Sequence, residues 1–117
     1  GVTHFIAEDD THAMQLCQQL LSYLPSNNLE DPPEVPGRYH VDADHGLLDV
    51  VPVDNKQGYD VRNVIVRVVD GGDFFEVQSG YAPNIVVGFG HVAGRSVGFV
   101  ANQPIVQAGV LDINASN

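Results

Sequence analysis

A single cysteine, Cys17, rules out an intrachain disulfide and points to a reducing compartment. Basic residues are scarce as well. Arg38, Lys56, Arg62, Arg67 and Arg95 are scattered among fifteen acids, for a formal charge of −10. A phosphate backbone or an anionic membrane surface needs clustered cations, so neither is expected as a partner. No apolar run approaches the roughly 18 residues of a membrane-spanning helix. The opening G-V-T-H-F-I-A-E-D-D has no basic start and no long apolar core, so it does not read as a secretory signal. It also lacks an initiator Met, which suits a fragment or a processed form. Together these features predict an intracellular protein.

Motifs for self-sufficient chemistry are missing too. The histidines His4, His12, His40, His45 and His91 match no H-E-x-x-H or compact zinc spacing, and no metal site is assigned. His40, Asp42, Asp44 and His45 lie close together, in a stretch that reads as a solvated polar loop. Ser22, Ser79 and Ser96 lack a G-x-S-x-G setting. G-F-G-H-V-A-G is not a dinucleotide fingerprint, since its spacing differs from G-x-G-x-x-G and no helix follows it directly. Cys17 falls on the apolar side of a predicted helix and reads as a small buried hydrophobe. His91, near a turn, reads as exposed. The acidic pairs read as helix-cap and surface charges.

What is present centres on residues 84–104, N-I-V-V-G-F-G-H-V-A-G-R-S-V-G-F-V-A-N-Q-P. Two β-rich runs flank Ala93-Gly94, and Gly94 can take positive φ, so the stretch predicts a β-hairpin. Gly88, Gly90 and Gly98 inside the strands imply close backbone approach or bulges. Pro104 has no N–H to donate, so the ladder should stop there.

Elsewhere, residues 2–7 read as a short strand. Residues 11–24 read as an amphipathic helix, with Asp9-Asp10-Thr11 at its start and Ala13, Leu16, Cys17, Leu20 and Leu24 at helical spacing. Residues 26–46, rich in proline and acid, read as an irregular linker. L-L-D-V-V-P-V (47–53) predicts an extended segment. Asp60 looks like a helix cap, followed by Val61, Val64, Ile65 and Val68 on one helical face. Asp70-Gly71-Gly72 should end that helix, and residues 74–78 predict a short buried strand. Beyond Pro104 the chain reads as a loop and a short apolar segment, with a cap signal at Asn114-Ala115-Ser116 and no complete helix after it.

Six segments then follow in a specific order: L-L-S-Y-L-P-S-N-N (20–28), Y-D-V-R-N-V-I (59–65), F-F-E-V-Q (74–78), Y-A-P-N-I-V-V-G-F (81–89), G-R-S-V-G-F-V-A-N-Q-P (94–104) and G-V-L-D-I-N-A-S (109–116). In this order the chain resembles the biotin-dependent acyl-CoA carboxyltransferases, in particular the β subunit of propionyl-CoA carboxylase and its methylmalonyl-CoA carboxyltransferase and decarboxylase relatives. The likeness covers nearly the whole chain, and the A-N-Q-P and L-D-I-N segments are its most specific part.

The resemblance implies an α/β, partial crotonase-like fold of ββα spirals: a β-hairpin-centred sheet with two main helices. It implies a central fragment of a much longer subunit. Residues 1–25 would be the tail of a first subdomain, 26–46 a linker and 47–117 the start of a second. In the family, carboxybiotin donates its carboxyl to the α-carbon of an acyl-CoA, with main-chain N–H groups facing the developing charge. Those turns are expected outside this chain, so no catalytic residue is assigned and the fragment alone should be inactive. Asn102, Gln103, Pro104, Gly109 and Asp112 match the loop expected to border the biotin pocket. His91 stands where family members often carry Arg. The resemblance implies no covalently bound cofactor here. The parent would use acyl-CoA and biotin on a carrier protein, with a biotin carboxylase subunit as partner, in a homo-oligomer. The alternative is a non-catalytic binding or assembly module that associates through exposed strand edges.

Overall fold

Ala93 and Gly94 both adopt left-handed backbone, φ 51° and 77°, and this two-residue turn closes the hairpin on which the fold is built. The computed structural model describes residues 1–36, 46–54 and 56–116. Strands β2 (Ile85–Val92) and β3 (Arg95–Asn102) pair antiparallel from Val92↔Arg95 to Ile85↔Asn102. Strand β1 (Phe75–Val77) adds to the other side of β2 with Phe75 opposite Phe89, giving the order β1-β2-β3. As expected, the ladder ends before Pro104.

The two faces of the sheet bury different things. On one face Val86 meets Val61, Ile65 and Val69 from helix α3 (Arg62–Val68) and its flanks, with Phe74, Phe99 and Ala101 packed around them. Spacing of four along a helix keeps Val61, Ile65 and Val69 on one side, which explains why a β-branched segment is helical here. The predicted face is therefore right for Val61 and Ile65, but Val69 is buried in place of the exposed Val68. The close approach that the strand glycines predict occurs at Gly90, where a Cβ would lie 2.5 Å from Val69 Cγ1. The other face carries aromatic rings. Tyr23 stacks on Phe75, Phe89 and His91 at centroid distances of 5.9, 5.7 and 4.7 Å, and Phe5 stacks on Phe75 at 4.9 Å.

Polar contacts fix the pieces. Asp70 accepts from Ala93 N (3.1 Å) and Gly94 N (2.7 Å), tying the turn after α3 to the hairpin tip. Arg62 donates to Glu76 through Nε at 2.8 Å and Nη2 at 2.5 Å, tying α3 to β1. Helix α1 (Asp10–Ser22) starts at Asp9, whose carboxylate accepts from His12 N at 2.7 Å. Beyond its end, Tyr23 O accepts from Ser96 Oγ at 2.8 Å. Val35 N donates to Gly94 O at 2.8 Å, so the proline-rich segment reaches the hairpin turn.

Several expectations are corrected. Residues 2–7 form no strand, although Gln78 N donates to His4 O at 2.9 Å. One such bond near the end of β1 does not make a ladder. Residues 47–53 are not extended throughout: helix α2 (Leu47–Val50) makes one turn, and Pro52 then holds Val51 extended at φ −92°, ψ 115°. Cys17 is exposed, because α1 buries none of its residues and is anchored beyond its C-terminal end by Tyr23. His91 is half-buried under Tyr23, with Nε2 enclosed and without a hydrogen-bond partner. The last helix, α4 (Ile113–Ser116), begins earlier than the cap signal implied: Asp112 Oδ1 accepts from Ala115 N at 2.9 Å. Residues 37–45, including Arg38, His40, Asp42, Asp44 and His45, and Asn117 lie outside the described residues. No helix among the described residues is long and apolar enough to cross a membrane.

Candidate functional site

Three side-chain amides stand where the loop leaves β3. Asn102 Nδ2 donates to Gly109 O at 2.7 Å. Asn84, at the start of β2 and only 2% exposed, donates through Nδ2 to Val110 O at 2.9 Å and to Asp112 Oδ1 at 3.3 Å. Both asparagines thus grip the returning strand of the loop. Between the two ends of the loop, Gln107, Ala108 and Gly109 are consecutive left-handed residues, at φ 48°, 53° and 76°. Two of the three carry a Cβ, which costs on the order of 1–2 kcal/mol each in that region. The surrounding bonds must offset that cost.

The third amide, Gln103, turns the opposite way. It is fully buried, donates through Nε2 to Asp60 Oδ1 at 2.7 Å and accepts from Val61 N at 3.0 Å. Its main-chain N–H donates to Asn84 O at 2.9 Å. Burial pushes the Asp60 carboxyl up, but hydrogen bonds from Gln103 and the Arg62 amide, with the Arg62 charge, outweigh it and hold the pKa below its ordinary value. The Asp112 carboxyl is also held low, first by the Ala115 N–H and then by Asn84.

The sequence-predicted residues therefore separate into two groups. Asn102, Gly109 and Asp112 converge on one loop, and Pro104 sits at its root. Gln103 belongs to the core. Asn84 was not among the predicted site residues. The signal that could have found it is an amide immediately before a run of strand-forming residues, where a side chain can bridge to a neighbouring loop.

Beside the loop lies an open groove of about 490 Å³, lined by Val51, Val53, Tyr59, Pro104, Ile105 and Ala108. Lys56 and Gln57 add polar groups to it. Gly58 lets the two walls approach, since a Cβ there would sit 3.1 Å from Pro104 O. No group of three or more metal-binding side chains occurs among the described residues. The arrangement offers an apolar wall with main-chain polar groups nearby, which suits binding and orientation.

A family described as the carboxyl transferase domain matches residues 1–117. The chain is 53% identical over 117 residues to the methylmalonyl-CoA carboxyltransferase 12S subunit of Propionibacterium freudenreichii subsp. shermanii, covering all of this chain and 22% of that protein. It is 43% identical over 128 residues to the biotin-dependent acetyl-/propionyl-coenzyme A carboxylase beta5 subunit of Mycobacterium leprae, covering 99% of this chain and 23% of that one. Among solved structures, a transcarboxylase 12S crystal structure with methylmalonyl-coenzyme A and methylmalonic acid bound superposes with a TM-score of 0.93 at 54% identity. That superposition covers 97% of this chain and 22% of the other. The chain thus spans under a quarter of the length of the curated relatives it matches. The hairpin-centred sheet and its helices are part of the crotonase-like α/β fold of these proteins.

Proposed function

The chain belongs to the carboxyl transferase domain family, and from this we propose that it is a segment of a subunit that moves a carboxyl group between biotin and a short acyl-CoA such as propionyl-CoA. The observation that carries the reading is the agreement of sequence and fold along the whole chain with one class of enzyme. Within the parent, residues 1–25 end a first subdomain, 26–46 connect, and 47–117 open a second.

In this reading the loop from Asn102 to Asp112 borders the biotin pocket. The residues present fit one wall of such a site. The groove has the size of a small-molecule cleft, with apolar flanks at Val53, Tyr59 and Ile105 and polar groups at Lys56 and Gln57. Biotin, when bound, supplies the carboxyl carried on its ureido nitrogen. This chain's part is to orient and enclose it, with Pro104 and Ala108 shaping the wall. The partners in this reading are acyl-CoA, a biotin carrier with its carboxylase subunit, and further copies of the same subunit.

The test is an assay of the full subunit for carboxyl transfer between methylmalonyl-CoA or propionyl-CoA and biotin. Absence of transfer with every short acyl-CoA overturns the reading. The isolated chain is expected to be inactive, because fixed dipoles facing developing charge are usually the largest catalytic contribution and the chain supplies only one wall. A second reading, an assembly module, draws on the edge strand β3 and on Val100, which is 76% exposed. Light scattering separates the two: self-association of the isolated chain without any transfer by the full subunit favours the module.

A further inference from the structure

We propose that Asn84 and Asn102 are positioning residues for the biotin half of the reaction, acting through the left-handed segment Gln107–Gly109. The inference rests on the reading that this loop borders the biotin pocket. Asn102 closes the hairpin ladder in its last pair with Ile85, and Asn84 is the residue just before Ile85. From there they seize adjacent carbonyls, Gly109 O at 2.7 Å and Val110 O at 2.9 Å. The rigid end of the sheet therefore dictates where the loop's return begins. Its three left-handed residues precede that grip directly, and two of them would favour another conformation if released. The groove wall at Ala108 is then set by two side chains that do not line the groove. Asn84 is further tied to Asp112 Oδ1, which also accepts from Ala115 N, so the start of α4 moves with the same clamp.

The experiment uses the full subunit that carries this segment, and carboxylation of free biotin from methylmalonyl-CoA. In that reaction the bond from the acyl α-carbon to the carboxyl breaks and a bond from the ureido nitrogen to the carboxyl forms. The proton displaced from the nitrogen ends on the α-carbon. Asn102 is exposed, so Asn102→Ala leaves the core intact. It is expected to raise KM for biotin about tenfold, because small misplacements of a positioning wall carry costs of that order. KM for methylmalonyl-CoA should stay within about twofold of the parent. Ala108→Gly in the Asn102→Ala background should recover most of the loss, since glycine takes the left-handed conformation without a clamp. Asn84→Ala should act in the same direction. If neither asparagine variant moves the biotin KM while Ile105→Trp in the groove raises it, the positioning role is overturned and the pocket reading stands. If Ile105→Trp also leaves the biotin KM unchanged, the pocket reading fails and this inference with it.

Discussion

Gln103 reaches across from the end of β3 to the start of α3, donating to Asp60 at 2.7 Å and accepting the Val61 N–H at 3.0 Å. One buried amide therefore holds the sheet and its packing helix in register. Replacing it with Leu leaves the Val61 N–H without its acceptor in a buried place. An unsatisfied buried donor costs about 1–3 kcal/mol. Gln103→Leu should lower stability by about that amount, read as a fall in urea midpoint at unchanged slope. Gln103→Glu should cost more at neutral pH, because two carboxylates would face each other. Equal midpoints for the parent and the Leu variant would remove the amide from the account.

The same contact carries a pH signature. The Asp60 carboxyl is held below its unfolded value, so its bonds stabilise the fold above about pH 4, the usual range for an unfolded aspartate. That contribution fades as pH falls through the lower, folded value. Asp60→Asn should therefore be less stable than the parent at pH 7, and the gap should narrow toward pH 3. Asp60 is over a third exposed, so solvent screening keeps the effect modest. Denaturation curves of both proteins at the two pH values check this. A gap that widens on acidification contradicts it.

Why the sequence yields some of this and not the rest follows from distance along the chain. The hairpin is legible because Ala93-Gly94 and the flanking β-rich runs are neighbours. Helix α3 is legible because Val61 and Ile65 repeat at helical spacing, and Asp70-Gly71-Gly72 ends it locally. The buried bonds of Gln103 are not legible, because its partners, Asp60 and Val61, lie 43 and 42 residues away. No local pattern marks such a pair. Cys17 fits an apolar stripe, yet α1 is fixed by Tyr23 beyond its end, and the stripe is left uncovered among the described residues. Leu47 and Leu48 suit a helical turn as well as a strand, and only the tertiary arrangement chooses. Asn102 and Gly109 are seven residues apart, near enough for the A-N-Q-P segment to point at the loop, whereas Asn84 lies 26 and 28 residues from Val110 and Asp112, the residues it bonds.

The strand glycines should differ sharply on substitution. A Cβ at Gly90 would lie 2.5 Å from Val69 Cγ1, whereas one at Gly98 meets nothing within 4 Å. Val69 is itself 1% exposed and closed in by the core, so it cannot swing aside freely. Overpacking of this kind costs about 1–3 kcal/mol. Gly90→Ala should show that loss, while Gly98→Ala should be neutral or slightly stabilising through reduced unfolded-state freedom. Thermal melts of the two variants side by side decide it, and equal losses would contradict the packing described.

The hairpin turn offers a change in the opposite direction. Ala93 holds φ 51° in a turn whose second residue, Gly94, is already suited to its φ of 77°. An alanine Cβ is disfavoured in the left-handed region, whereas asparagine visits it readily, and Asn-Gly is the preferred pair for such turns. The side chain at position 93 is exposed, so the substitution meets no core packing. The bonds from the Ala93 and Gly94 amides to Asp70 use main-chain N–H groups, which Asn also supplies. Ala93→Asn should thus raise stability by about 0.5–1 kcal/mol, a part of the roughly 1–2 kcal/mol left-handed penalty, seen as a higher melting temperature. Ala93→Val, β-branched at the same φ, should lower it. If both substitutions shift the melt in the same direction, left-handed backbone at this position is not what limits the hairpin.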